Sequence, residues 1–175
     1  LVEALANANS IVYFGSCAVY DDLAAQTPYV QHKLAMEKLV AEHSQYLILR
    51  LPNVAGETPN PHTLLNFLYA KIARGERFQL WTEARRNVID VFDVAKIAEW
   101  LLDSGYMNKV VNVAAPVDHG LPEIVMMFER LLGKTAVFDR VDKGEACPID
   151  VSDIARAPVN FDAKYLPRVL KAYYL

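Results

Sequence analysis

The chain has 175 residues, 53% of them hydrophobic and 22% charged, with a formal net charge of −3. An apolar content near the soluble average excludes low-complexity disorder, and no apolar run approaches the roughly 18 residues that a membrane helix needs. A slightly acidic balance without a basic stripe argues against nucleic acid or an anionic membrane as partner, while the stretch from Lys71 to Asp90, with five basic side chains against three acidic ones, leaves room for a small anion. Cys17 and Cys147 have neither metal-ligand nor C-x-x-C spacing and read as reduced thiols of a cytoplasmic protein. The seven glycines, at 15, 56, 75, 105, 120, 133 and 144, lie too far apart for a G-x-G-x-x-G loop or a P-loop.

Short β-branched runs alternate with helical patterns, the signature of strand-helix-strand units around a mainly parallel sheet. Residues 1–8 read as the end of an apolar helix, with Glu3 and no basic cluster to suggest a signal peptide. Ser10–Gly15 (SIVYFG) reads as a short buried strand bounded by turn residues. From Pro28 the spacing is helical, with Val30, Leu34, Leu39 and Val40 on an apolar stripe and the proline suited to a first turn. Tyr46–Leu51 (YLILRL) is a second buried strand, closed by Pro52. A turn-rich stretch follows, then a helix over 63–74 stopped by Gly75, strands at 78–81 and 87–91, a helix at 93–103 and a strand at 109–114. Beyond Pro116 the pattern predicts a helix at 121–132 stopped by Gly133, a strand at 135–138 and a last helix over 163–174.

Tyr29 and Lys33 are four apart on the predicted helix and therefore share one face. A free phenol titrates near pH 10, so a tyrosine working as acid or base near pH 7 needs its phenolate favoured by about 4 kcal/mol, part of which a nearby ammonium supplies. Ser16 falls just past the end of the first strand, where open parallel sheets place their ligands, and a hydroxyl there can bind both a substrate oxygen and the phenol. The plainer readings are a half-buried helix tyrosine and a turn serine bonded to its own backbone.

Four motifs in order resemble the extended branch of the short-chain dehydrogenase/reductase superfamily, the NAD(P)-dependent nucleotide-sugar epimerases, dehydratases and reductases. They are Ser16-Cys-Ala-Val19-Tyr20, like S-x-x-V-Y, and Tyr29-Val-Gln-His-Lys33, like Y-x-x-x-K. Next come Arg50-Leu-Pro-Asn53-Val-Ala-Gly56, like R-x-x-N-x-x-G, and Arg86-Asn-Val-Ile-Asp-Val-Phe-Asp93-Val-Ala, like R-D-x-x-x-V-x-D-V-A. The resemblance implies an α/β fold: the C-terminal half of a Rossmann-type parallel sheet with a smaller mixed α/β substrate-binding domain. Residues 1–53 and 87–114 would form the dinucleotide-binding part, interleaved with a substrate-binding part at 54–86 and 115–175. The glycine-rich loop would then belong to a segment ahead of Leu1.

By the same resemblance Ser16 would position the substrate oxygen, Tyr29 would be the acid/base, and Lys33 would hold the nicotinamide ribose, with Pro52 among the positions that contact NAD or NADP. Asn53 and Arg86 would contact a nucleotide-sugar, the arginine through its diphosphate, for which a guanidinium fork is suited. Asn53 as a turn residue and Arg86 as a surface charge are the structural alternatives. Arg50, interrupting a buried strand, is expected to pair, and Asp93 to cap a helix. His32 and His119 carry no assigned role. Dehydratases of the family resemble T-D-E-V-Y at the serine motif; Cys17-Ala18 supply no acid there, which disfavours dehydration and leaves epimerisation or keto reduction. Asp21 and Asp22 stand where the family has glycine, and the loop before Tyr29 is short for the extended branch. Two competing readings are a non-catalytic dinucleotide-sensing or partner-binding relative and an inactive fragment of the enzyme. The oligomeric state is left open, a homodimer being the candidate.

Overall fold

The computed structural model describes residues 8–22 and 24–175, so the helix expected over residues 1–8 lies outside the described residues but for Ala8. In chain order the elements are β1 (Ile11–Ser16), a 3-10 turn (Cys17–Tyr20), α1 (Pro28–Ala41), β2 (Tyr46–Leu51), β3 (Asn53–Ala55), α2 (Leu64–Arg74), β4 (Phe78–Trp81), β5 (Arg85–Arg86), β6 (Val88–Asp90) and α3 (Val91–Asp103). They continue with β7 (Lys109–Asn112), β8 (His119–Gly120), α4 (Leu121–Leu132), β9 (Phe138–Val141), a second 3-10 turn (Ser152–Ile154) and α5 (Tyr165–Tyr174). No helix among the described residues is long and apolar enough to cross a membrane.

The chain divides into two compact units, one of Leu1–Pro52, Phe92–Ala114 and Ile149–Val159, the other of Asn53–Val91, Ala115–Pro148 and Asn160–Leu175. The first is built on a three-stranded sheet, β1-β2-β7, parallel throughout. In its central strand Leu47, Ile48 and Leu49 are all buried. Successive side chains point to opposite faces, so both faces are covered, and each of these residues contributes about 2 kcal/mol of transfer free energy. Parallel pairing places the ends of β1 and β2 side by side, with Gly15 opposite Arg50 and Ser16 opposite Leu51. α1 packs on β1, β2 and the first 3-10 turn; it starts where Thr27 accepts a hydrogen bond from the Val30 amide and Pro28 fills the first turn.

The second unit holds three two-stranded pairings: β3 with β6 and β4 with β9, both parallel, and β5 with β8, antiparallel. α2 packs on α4, α4 on β4 and α5, and α5 on β3 and β6. The rings of Tyr69, Phe128 and Tyr174 tie the three helices together at centroid distances of 5.1–6.5 Å. α2 and α4 stop at Gly75 and Gly133, whose φ angles of 66° and 62° are left-handed and favour glycine.

Three differences from the sequence expectation have local causes. The strand expected at 87–91 is broken at Asn87, whose buried side chain accepts from the Ala115 amide (3.0 Å) and donates to the Ala115 carbonyl (2.7 Å). The strand expected at 135–138 starts at Phe138, because the Ala136 amide instead donates to Glu129 Oε1 at 2.8 Å, closing the end of α4. Asp93 lies inside the first turn of α3 rather than capping it, and pairs with Lys96 at 3.1 Å. A carboxylate there still complements the positive end of the helix.

Candidate functional site

Ser16 ends β1 and caps the 3-10 turn: its buried Oγ accepts from the Ala18 amide at 3.2 Å. The backbone bond foreseen for a turn serine is present, and the hydroxyl proton is not spent in it. Tyr29 sits in the first turn of α1, 55% exposed. One turn on, the Lys33 ammonium lies 5.9 Å from the Tyr29 ring centre and 5.2 Å from that of Tyr13, and donates to the Phe14 carbonyl at 3.0 Å. No carboxylate among the described residues is within ion-pair distance of it. Thus Lys33 bridges the helix that carries Tyr29 and the strand that ends in Ser16. Pro52 follows β2, whose last residue faces Ser16 across the sheet.

Beneath these residues lies a network that the sequence reading only touched. Arg50 grips Glu37 through Nη2–Oε2 at 2.7 Å and Nε–Oε1 at 3.1 Å, with the Glu37 side chain 7% and that of Arg50 18% exposed. The pairing expected for Arg50 is therefore present, and hydrogen bonding to Glu37 holds the guanidinium above its ordinary range. Arg50 Nη1 donates to the Tyr20 hydroxyl at 2.8 Å, and that hydroxyl donates to Asn112 Oδ1 at 2.8 Å. A Cβ on Gly15 would stand 2.6 Å from Glu37 Oε1, so any side chain there would force the clamped carboxylate to shift. Tyr20 stands in the serine motif without an assigned role, and Glu37 and Asn112 were not singled out from sequence; the signal for Glu37 is the four-residue spacing that runs on from Tyr29 through Lys33.

In the second unit, Asn53 donates from Nδ2 and from its backbone amide to the Asn87 carbonyl, at 2.9 and 3.2 Å. It braces β3 against β6 and keeps an amide oxygen and one N–H. Arg86 Nη1 donates to the Arg85 carbonyl at 2.7 Å, and no carboxylate among the described residues reaches its guanidinium. The neighbouring Arg85 is tied to the Asp118 carbonyl. His119, for which the sequence offered no partner, faces Arg86 across the β5–β8 pair and meets Glu123, in the first turn of α4, at 3.0 Å. Ser16, Tyr29, Lys33 and Pro52 thus belong to one unit and Asn53 and Arg86 to the other.

A sequence profile of the NAD dependent epimerase/dehydratase family matches residues 1–114. The chain belongs to that family. Solved structures agree with the chain in fold. It is similar to the UDP-glucose 4-epimerase of Thermotoga maritima, solved with UDP-glucose, at 18% identity and a TM-score of 0.75 over 99% of this chain and 65% of that one. The UDP-glucuronic acid 4-epimerase of Bacillus cereus, solved with NAD, is similar at 17% identity and a TM-score of 0.79, over 99% and 63%. RMD of Pseudomonas aeruginosa, complexed with NADPH, is similar at 19% identity and a TM-score of 0.74, over 94% and 66%. The chain therefore spans 63–66% of the length of these three structures. No curated protein matches it.

Proposed function

We propose that this epimerase/dehydratase family member serves an NAD(P)-dependent epimerase or keto-reductase acting on a nucleotide-activated sugar, with Tyr29 as the acid/base. The observation that carries the reading is the placement of Lys33: its ammonium lies beside the Tyr29 ring while bonded to the strand that ends in Ser16.

The donor set fits the ribose end of a dinucleotide. An ammonium has three N–H donors, and the Phe14 carbonyl takes one, so two remain for vicinal hydroxyls. Tyr29, Lys33 and Pro52 would hold that end of NAD or NADP; when bound, the dinucleotide supplies hydride acceptance and return. Tyr29 takes the proton from a sugar hydroxyl as its carbon is oxidised and returns it on reduction. Ser16 Oγ–H donates to the same sugar oxygen, and the Lys33 ammonium stands beside the Tyr29 ring. Arg86 is assigned to the diphosphate because its fork is free of any carboxylate among the described residues, and Asn53 to the nucleotide-sugar through the amide atoms not used on Asn87. These two assignments rest on chemistry and motif position alone.

The test is Tyr29→Phe, assayed with NAD or NADP and a panel of UDP- and dTDP-sugars. Turnover is expected to fall by about 10²- to 10⁴-fold with nucleotide-sugar binding, read by calorimetry, unchanged. Wild-type turnover in the variant would overturn the assignment of Tyr29, and nucleotide-sugar binding without turnover in the unaltered protein would favour a binding-only relative.

A further inference from the structure

We propose that the Arg50–Glu37 ion pair, joined by the Tyr20 hydroxyl, is a positioning device that holds Ser16 and the Tyr29–Lys33 face of α1 in one frame. The inference rests on the reading of Tyr29 as acid/base and assigns roles to three residues that touch none of the reacting atoms.

Three contacts carry it. Tyr29, Lys33 and Glu37 follow one another at four-residue intervals, so they lie along one line of α1 and a turn of the helix about its axis moves all three together. Glu37 is the buried end of that line, clamped by two guanidinium nitrogens of Arg50. A bidentate clamp fixes rotation as well as distance, which a point charge does not. Arg50 is the register partner of Gly15, and the Glu37 carboxylate fills the space that a side chain at Gly15 would take. The strand residue immediately before Ser16 is therefore seated on the pair.

The turn that follows Ser16 is seated on it as well. Tyr20 closes the 3-10 turn that Ser16 caps, and its hydroxyl receives Arg50 Nη1 while donating to Asn112 on β7. Asn112 in turn donates to the Asp150 carbonyl at 2.9 Å. Ser16 is thus held from its strand side through Gly15 and from its turn side through Tyr20, by the same guanidinium that orients the helix carrying Tyr29 and Lys33.

The experiment compares Tyr20→Phe and Glu37→Gln with wild type and with Tyr29→Phe, well below each protein's melting temperature. Both variants keep shape, and Tyr20→Phe removes a single hydroxyl at a side chain that is 40% exposed, so folding is retained. Each is expected to lower kcat by about tenfold while leaving KM for the nucleotide-sugar within about twofold, the pattern of a misplaced reacting group rather than lost binding. The rings of Tyr13 and Tyr29 beside Lys33 are expected to displace its ε-methylene resonance, and in Glu37→Gln without added ligands that resonance is expected to move toward its random-coil position. If Tyr29→Phe is inactive while Tyr20→Phe and Glu37→Gln keep wild-type kcat and an unmoved Lys33 resonance, the positioning role is refuted and the Tyr29 reading stands. Wild-type turnover in Tyr29→Phe overturns both.

Discussion

Replacing Arg50 with methionine tests the energetics of the network most directly. The substitution keeps the length of an apolar stem but strips Glu37 of its partner: the bonds from Nη2 at 2.7 Å and from Nε at 3.1 and 3.3 Å are lost, and with them the bond from Nη1 to Tyr20 at 2.8 Å. Glu37 is only 6% exposed, so water cannot replace the lost donors without opening the junction of α1 and β1. Breaking a buried pair on one side costs about 3–5 kcal/mol, because an uncompensated charge is left behind. Removing both partners with Glu37→Met in the same chain restores most of that loss, since two apolar side chains of similar volume have nothing left to satisfy. Urea denaturation followed by circular dichroism gives the assay: a lower midpoint with unchanged slope in Arg50→Met, and a double-mutant coupling of at least about 2 kcal/mol. A single variant within about 1 kcal/mol of wild type, or a coupling near zero, would refute the reasoning.

Gly15→Ala is expected to lower the melting temperature through overpacking of about 1–3 kcal/mol, as its Cβ would stand 2.6 Å from Glu37 Oε1 and 3.4 Å from Arg50 Cγ; an unchanged melting curve would show that the pair shifts freely. Tyr174 gives a test at high pH. Burial pushes its phenol up to about 12, and its hydroxyl donates to Asn66 Oδ1 at 2.7 Å. A folded value above the unfolded value near 10 means that the stabilisation is complete below pH 10 and is lost as pH rises through about 12. The phenolate absorbance at 295 nm should therefore show a late step that Tyr174→Phe removes, and a complete titration by pH 11 in the folded protein would contradict it.

Much of the fold is legible in the chain because its signals are local. YLILRL is a strand by its unbroken apolar run, and the observed element is Tyr46–Leu51. Thr27-Pro28 starts a helix, and Gly75 and Gly133 stop helices, because each needs only its own backbone angles or its own amide neighbours. The misses are where a side chain takes a partner outside the regular pattern of its element. Asn87 leaves its strand for Ala115, Glu129 takes the Ala136 amide from the expected β-run, and His119 finds Glu123. Only the first reaches far along the chain, over 28 residues; the second spans seven, and in both a side chain takes a backbone partner, which periodicity does not encode.

The candidate site divides along the same line. Sequence alone determined the Tyr29–Lys33 pair, since a four-residue interval on a helix puts two side chains on one face whatever surrounds it. It also determined that Arg50, a cation within a buried run, had to find an anion. Only the tertiary structure decided which anion. Parallel register sets Gly15 opposite Arg50, the missing Cβ opens the space, and α1 delivers Glu37 into it. That choice depends on three segments meeting at one depth, a condition of packing that no single stretch of chain contains.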